Sequence, residues 1–127
     1  MKVMGIDFGS KRVGVALSDE NALFAFPHSV MKNDDTLLEN VLALARSEGV
    51  RKIVMGESKN YKGSPNVIMK EVEAFKERLL KEGNIEVVFE PEFLTSAEAE
   101  RIQGKHDTLD ASAAALILKS YLDRVKN

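Results

Sequence analysis

Met4-Gly5-Ile6-Asp7-Phe8-Gly9-Ser10-Lys11-Arg12-Val13-Gly14-Val15-Ala16-Leu17-Ser18-Asp19 is the most informative stretch of this chain of 127 residues. Residues 2–8 alternate Val3, Gly5 and Asp7 with Met4, Ile6 and Phe8, the two-residue period of a strand with two distinct faces. Residues 12–18 repeat the pattern, with Val13, Val15 and Leu17 opposite Arg12, Gly14, Ala16 and Ser18. The link Gly9-Ser10-Lys11 is short enough for a hairpin, which predicts two antiparallel neighbours. Asp7 closes the first strand. A carboxylate at the end of an apolar strand is costly to bury unless a cation or hydrogen-bond donors compensate it. Gly5, Gly9 and Gly14 remove side chains around it and would let a phosphate or a metal approach the backbone. The combination points to phosphate chemistry. An Asp that only caps the following turn is the plainer alternative.

Outward from this stretch the elements alternate as in an α/β fold. Residues 22–31 predict a third strand, interrupted or ended by Pro27. Asn33-Asp34-Asp35 offers N-caps for a helix to about Glu48, with Leu37, Leu38, Val41, Leu42, Leu44 and Ala45 as its apolar stripe and Gly49 as its stop. Lys52-Ile53-Val54-Met55-Gly56 reads as a buried parallel strand. Ser64-Pro65 opens a second helix that ends near Gly83. Ile85 to Phe89 is a fifth strand. Thr95-Ser96 starts a short helix to about Ile102, and Asp107-Thr108 caps a last one to Val125. The expected architecture is a mixed sheet, three antiparallel strands followed by two parallel ones, with helices on both faces. No repeat or linker divides residues 1–127, so one domain is expected.

Composition narrows the function classes. There is no Cys, which removes disulfide and thiol chemistry, and His28 and His106 alone make a structural zinc site a poor fit. No apolar run reaches the length of a membrane span, and no secretory signal is legible, so a cytoplasmic protein without a membrane partner is expected. The net charge of −2 lowers the expectation of a nucleic-acid binder without removing it, since a local basic patch can hold a phosphate backbone.

Three carboxylates stand where chemistry would need them. Asp7 ends the first strand. Glu92 follows the fifth, just beyond the carboxyl end where α/β sheets place their ligands, with Glu90 as its competitor two residues earlier. Asp110 shares a helical stripe with the apolar Ala114, Ile117 and Tyr121, and a carboxylate on that core-facing side must meet something that compensates its charge. Its bland alternative is a favourable place near a helix N-terminus. Three acids from separate elements at one sheet end suit Mg²⁺ or Mn²⁺, and a pair of such ions supports phosphodiester hydrolysis. Ser10, Lys11 and Arg12 in the glycine turn could position a phosphate. Lys59, Lys62 and Lys105 could add backbone contacts, although solvated charge explains most single lysines.

With these residues in view, the chain resembles the YqgF/RuvX family of Holliday-junction-resolvase-like proteins with an RNase H-like fold. Gly5-Ile6-Asp7-Phe8-Gly9-Ser10-Lys11-Arg12-Val13-Gly14-Val15-Ala16 is similar to the family's opening motif. Asp110-Ala111-Ser112-Ala113-Ala114-Ala115-Leu116-Ile117-Leu118 is similar to its final helix. Pro91-Glu92-Phe93-Leu94-Thr95-Ser96 with Glu98-Ala99 matches its middle acidic string and places the family's ligand on Glu92. The resemblance implies a metal-dependent nuclease with Asp7, Glu92 and Asp110 as metal ligands and catalytic residues. It implies maturation of the 5′ end of small-subunit rRNA precursor, so RNA is the expected partner ahead of a DNA junction. Two departures are visible. Pro91 and Phe93 replace the family's Asp and Arg. Glu57 to Ser64 replaces an apolar Leu-Pro-Leu loop, keeping Gly56, Asn60, Gly63 and Ser64 and adding Lys59 and Lys62.

Other readings stay open. The family's older reading is resolution of four-way DNA junctions, which requires a dimer with two symmetric sites, whereas RNA processing is compatible with a monomer. A non-catalytic RNA-binding module of the same fold is the second alternative. The glycine hairpin also resembles the first phosphate loop of actin-like ATPases, but those enzymes enclose nucleotide between two lobes, and 127 residues do not supply both.

Overall fold

Strands β1 (Val3–Phe8) and β2 (Arg12–Ser18) form the expected hairpin, pairing Met4 with Leu17 and Asp7 with Gly14. The Gly9 N–H donates to the Arg12 carbonyl at 3.0 Å, leaving Ser10 and Lys11 as the loop. A Cβ on Gly9 would lie 2.5 Å from that carbonyl oxygen, so the closure needs glycine for space. The structure is a computed structural model that describes residues 1–57, 67–91 and 109–125, the backbone alone for 67–69 and 109–110.

Strand β3 (Ala25–Lys32) pairs antiparallel with β2 and runs through Pro27 rather than stopping there. The register shifts between Val15 and Ala16, whose partners are Ser29 and Pro27, so His28 is the extra residue of a bulge. The proline is tolerated because β3 is an edge strand, where a missing N–H breaks no ladder. Helix α1 (Leu37–Glu48) carries the crossover to β4 (Lys52–Glu57), which pairs parallel to β1. Its N-cap is Thr36, one residue beyond the Asn33-Asp34-Asp35 string, and Asp34 instead accepts from the Thr36 N–H at 2.9 Å and hydroxyl at 2.6 Å. Gly49 ends the helix at φ 71°, as expected of a glycine C-cap. Helix α2 (Val67–Gly83) leads to β5 (Glu86–Pro91), parallel to β4, and α3 (Leu109–Val125) ends the described chain. The sheet order is β3-β2-β1-β4-β5. The expected short helix over 95–102 lies outside the described residues.

Each face of the sheet has its own core. Met4, Ile6, Val13, Val15, Ile53 and Met55 are buried beneath Leu38, Val41 and Ala45 of α1 and Val72, Phe75 and Leu79 of α2. Val3, Ala16 and Val54 are buried on the other face beneath Ala114, Ile117, Leu118, Tyr121 and Leu122 of α3. Each of the larger aliphatic and Phe side chains among them contributes about 1.5–3 kcal/mol on leaving water, so both helical layers are held by the alternation legible in the strands.

Gly5 proves to be a packing residue. A Cβ there would stand 2.7 Å from the Leu118 Cβ and 2.8 Å from the Ala114 carbonyl oxygen. The bare backbone of β1 lets α3 lie directly on it, rather than opening room for a phosphate. Further along α3, the Tyr121 hydroxyl is 3.1 Å from Lys52 Nζ, at the start of β4, where Lys52 pairs with Val3. Helix α3 therefore runs back against β1, its first turn toward the carboxyl end of that strand.

Candidate active site

Asp7 is half-buried near the end of β1, on the sheet face that α3 covers. It stands two residues past Gly5, about 7 Å along the strand. Asp110 stands one helical turn before Ala114, about 6 Å along α3. Strand and helix thus bring Asp7 and the backbone of Asp110 to one end of the molecule. Ala114, Ile117 and Tyr121 of α3 are all buried. β5 is parallel to β4 and β1, and it leaves the sheet at this same end through Pro91. Glu92, the next residue, lies outside the described residues, as do Lys59, Asn60, Lys62 and Lys105 and the side chain of Asp110. Among the described residues, no three His, Cys, Asp or Glu side chains cluster as a metal site.

Ser10, Lys11 and Arg12 are exposed at the hairpin tip. Ser10 also lines a cavity of about 340 Å³ with Phe8, Asn33, Phe75 and Arg78, on the side that α1 and α2 cover. The turn is anchored by a residue that the sequence reading treated only as a helix cap. Asn33 Nδ2 donates to the Gly9 carbonyl at 2.8 Å, and the Asn33 N–H donates to the Lys11 carbonyl at 3.0 Å. An Asn after a strand signals a turn, but nothing in the sequence says which distant backbone it will hold. Asn33→Ala is expected to lower kcat/KM about tenfold, roughly 1.4 kcal/mol of transition-state stabilisation. Asn33→Asp should not restore it, since a carboxylate cannot donate to Gly9. Steady-state cleavage rates measure both.

Glu90, the competitor of Glu92, has a different occupation. It is 1% exposed, and both its oxygens are engaged by α3. Ser120 Oγ donates to Oε2 at 2.9 Å, and Arg124 donates to Oε1 through Nε at 3.1 Å and through Nη2. This hydrogen bond, reinforced by the charge of Glu90, raises the Arg124 pKa above its ordinary value. The Arg124 guanidinium also lies 5.4 Å from the centre of the Tyr121 ring. Glu90 thereby ties the strand leading to Glu92 to the helix carrying Asp110. Arg124→Leu is expected to lower Tm, because it strands a buried carboxylate. Adding Glu90→Leu should recover part of the loss, since an apolar pair replaces a buried ion pair at little cost. Thermal denaturation of both variants decides it.

The five-stranded order with its antiparallel half, parallel half and flanking helices defines an RNase H-like fold. RuvC of T. thermophilus, solved with a Holliday junction substrate, superposes with a TM-score of 0.67 at 18% identity, over 100% of this chain and 97% of RuvC. The fowlpox virus Holliday junction resolvase gives 0.60 at 17% identity, over 98% and 99%. Residues 1–124 match the family described as "RuvX: Holliday junction resolvase", and the chain belongs to that family. A "Putative pre-16S rRNA nuclease" of Salinibacter ruber is 37% identical over 134 aligned positions, covering 97% of this chain and 93% of the relative. A protein of the same name from Caldanaerobacter subterraneus is 36% identical over 139, covering 100% and 99%. Among the described residues, no helix is long and apolar enough to cross a membrane.

Proposed function

We propose that this protein is a metal-dependent nuclease that hydrolyses phosphodiester bonds in RNA, acting at the 5′ end of pre-16S rRNA in the cytoplasm. The observation that carries this reading is the placement of Asp7 at the carboxyl end of β1, with α3 laid on Gly5 so that the turn bearing Asp110 comes to the same end. The relatives named for pre-16S rRNA support RNA as the substrate, whereas the family's description names a DNA junction.

Asp7, Glu92 and Asp110 would hold Mg²⁺ or Mn²⁺. Their all-oxygen chemistry suits a hard cation, and these elements share one end of the sheet. Such a cation, when bound, activates water and stabilises the leaving oxygen. The chain's own residues do the rest. Arg12 and Lys11 neutralise and orient the phosphate, and Asn33 holds their turn in place. Lys59, Asn60, Lys62 and Lys105 extend backbone contact. The protein works as a monomer or a homodimer in this reading, with residues 1–127 as a single domain.

The test is cleavage of labelled single-stranded RNA, duplex RNA and a four-way DNA junction, each with Mg²⁺, Mn²⁺ and EDTA. Metal-dependent cutting of RNA is the expected outcome. Cutting of the junction alone would replace the RNA reading with resolution. Binding of RNA without cutting would make the protein a non-catalytic module.

A further inference from the structure

We infer that the cavity beneath the hairpin turn is a base subsite that takes an unpaired guanine of the substrate, read by Glu71 and Arg78. This extends the nuclease reading and rests on it. The cavity holds about 340 Å³, within the range of about 300–1,000 Å³ typical of small-ligand sites. Its floor is aromatic. Phe8 is half-buried at the end of β1, and the Phe75 ring lies 5.3 Å away, centre to centre. Phe8 follows Asp7 directly and packs on the α1–α2 core, so the two side chains leave β1 on opposite faces. Ser10, in the turn that meets the phosphate in this reading, lines the cavity as well, and Asn33 borders it while holding the Gly9 carbonyl. A nucleotide whose phosphate lies at the turn thus has its base within reach of the cavity. Unpaired RNA bases are bound in this manner, by stacking on aromatic side chains and by hydrogen bonds to their edges.

The rim selects the base. Helix α2 turns Val72, Phe75 and Leu79 into the core and leaves Glu71, Ala74 and Arg78 exposed along the cavity. Glu71 and Arg78 are seven residues apart in the sequence, two turns and about 10 Å along the helix. An acid therefore stands at one end of the rim and a guanidinium at the other, with the small Ala74 between them. A carboxylate offers acceptors and binds best to two neighbouring donors. Guanine alone among the four bases has two such donors side by side, N1–H and N2–H. Its O6 and N7 form the acceptor pair that arginine binds bidentately. Adenine would meet Glu71 with an acceptor at N1 and Arg78 with a donor at N6, the wrong group in both places. Asp34, another acid on the rim, has Oδ1 committed to the Thr36 N–H and hydroxyl. Arg78 meets Glu82 through Nε at 3.5 Å, an exposed pair that does not use its two terminal nitrogens.

Binding is measured in EDTA with short fluorescent oligouridylates that carry one central guanosine, adenosine, inosine or 7-deazaguanosine. Inosine lacks the N2 amine that Glu71 would hold, and 7-deazaguanosine lacks the N7 that Arg78 would hold. Wild type is compared with Glu71→Gln, Arg78→Gln and the surface control Lys119→Gln, whose side chain pairs with Asp123 on α3. The readout is the ratio of affinities within one protein, so general charge effects on RNA binding and any loss of folded fraction cancel. Wild type is expected to bind the guanosine RNA about tenfold tighter than the adenosine RNA, and to lose several-fold with inosine and with 7-deazaguanosine. Glu71→Gln should bind the guanosine and inosine RNAs alike, and Arg78→Gln should no longer distinguish guanosine from 7-deazaguanosine. Lys119→Gln should keep the wild-type ratios. Guanosine and adenosine RNAs bound equally by wild type overturn the base subsite and leave the nuclease reading intact, since metal-dependent cutting decides that. A guanosine preference that survives both substitutions overturns it equally. Wild type that binds none of these RNAs overturns both.

Discussion

Asp7→Asn is expected to reduce cleavage by about a thousandfold or more, roughly 4 kcal/mol of transition-state stabilisation, while the protein keeps its fold. The substitution is nearly isosteric and exchanges one anionic oxygen for an amide, so it removes charge at constant shape. Asp7 is half-buried opposite Gly14 at the end of β1, and the strand pairing and both cores around it do not depend on its charge. A carboxylate that only caps a turn would behave differently: its loss would lower Tm modestly and leave the rate alone. Cleavage rate and thermal melt together separate the two roles. Undiminished cutting by well-folded Asp7→Asn would sink the assignment. A metal titration gives an independent reading, since loss of one ligand should raise the Mn²⁺ concentration needed for thermal stabilisation.

The sheet was legible in advance wherever one face of a strand is apolar and the other is not. Val13, Val15 and Leu17 point to one core while Gly14, Ala16 and Ser18 point to the other, and a slip of one residue would exchange them. Pro27 misled because a proline stops a central strand but not an edge strand, and edge position is a property of the whole sheet. One glycine misled for a related reason. Gly5 looked like room for a ligand, yet its missing Cβ is room for Leu118, a residue 113 positions later in the chain. Glu90 was weighed only as a rival ligand. Its partners Ser120 and Arg124 are 30 and 34 residues away, and no local pattern announces a pairing at that range. Asp7 and Asp110 stand out as candidates in the sequence because each breaks an apolar stripe that its neighbours otherwise complete.

Gly5→Ala is expected to destabilise the protein by about 1–3 kcal/mol through overpacking, and Gly5→Val to prevent folding. Added volume at this position has no flexible side-chain tip to push aside. The new Cβ would meet the Leu118 Cβ at 2.7 Å and the Ala114 carbonyl oxygen at 2.8 Å, so relief requires moving the backbone of α3. The same helix is tied to β5 through Glu90 and to β4 through the Tyr121 hydroxyl, and it resists that movement at its far end. The displacement therefore falls on the first turn, which carries Asp110. A fall in Tm of about 5–15 °C is expected for a domain of this size, accompanied by a loss of cleavage larger than the unfolded fraction accounts for. The two readouts distinguish packing from ligand approach. A Gly5→Ala variant with wild-type Tm but no activity would mean that the glycine is kept open for a phosphate or metal after all. A variant with lowered Tm whose remaining folded fraction cuts at the wild-type rate would mean that Asp110 does not depend on the seat of α3 against β1.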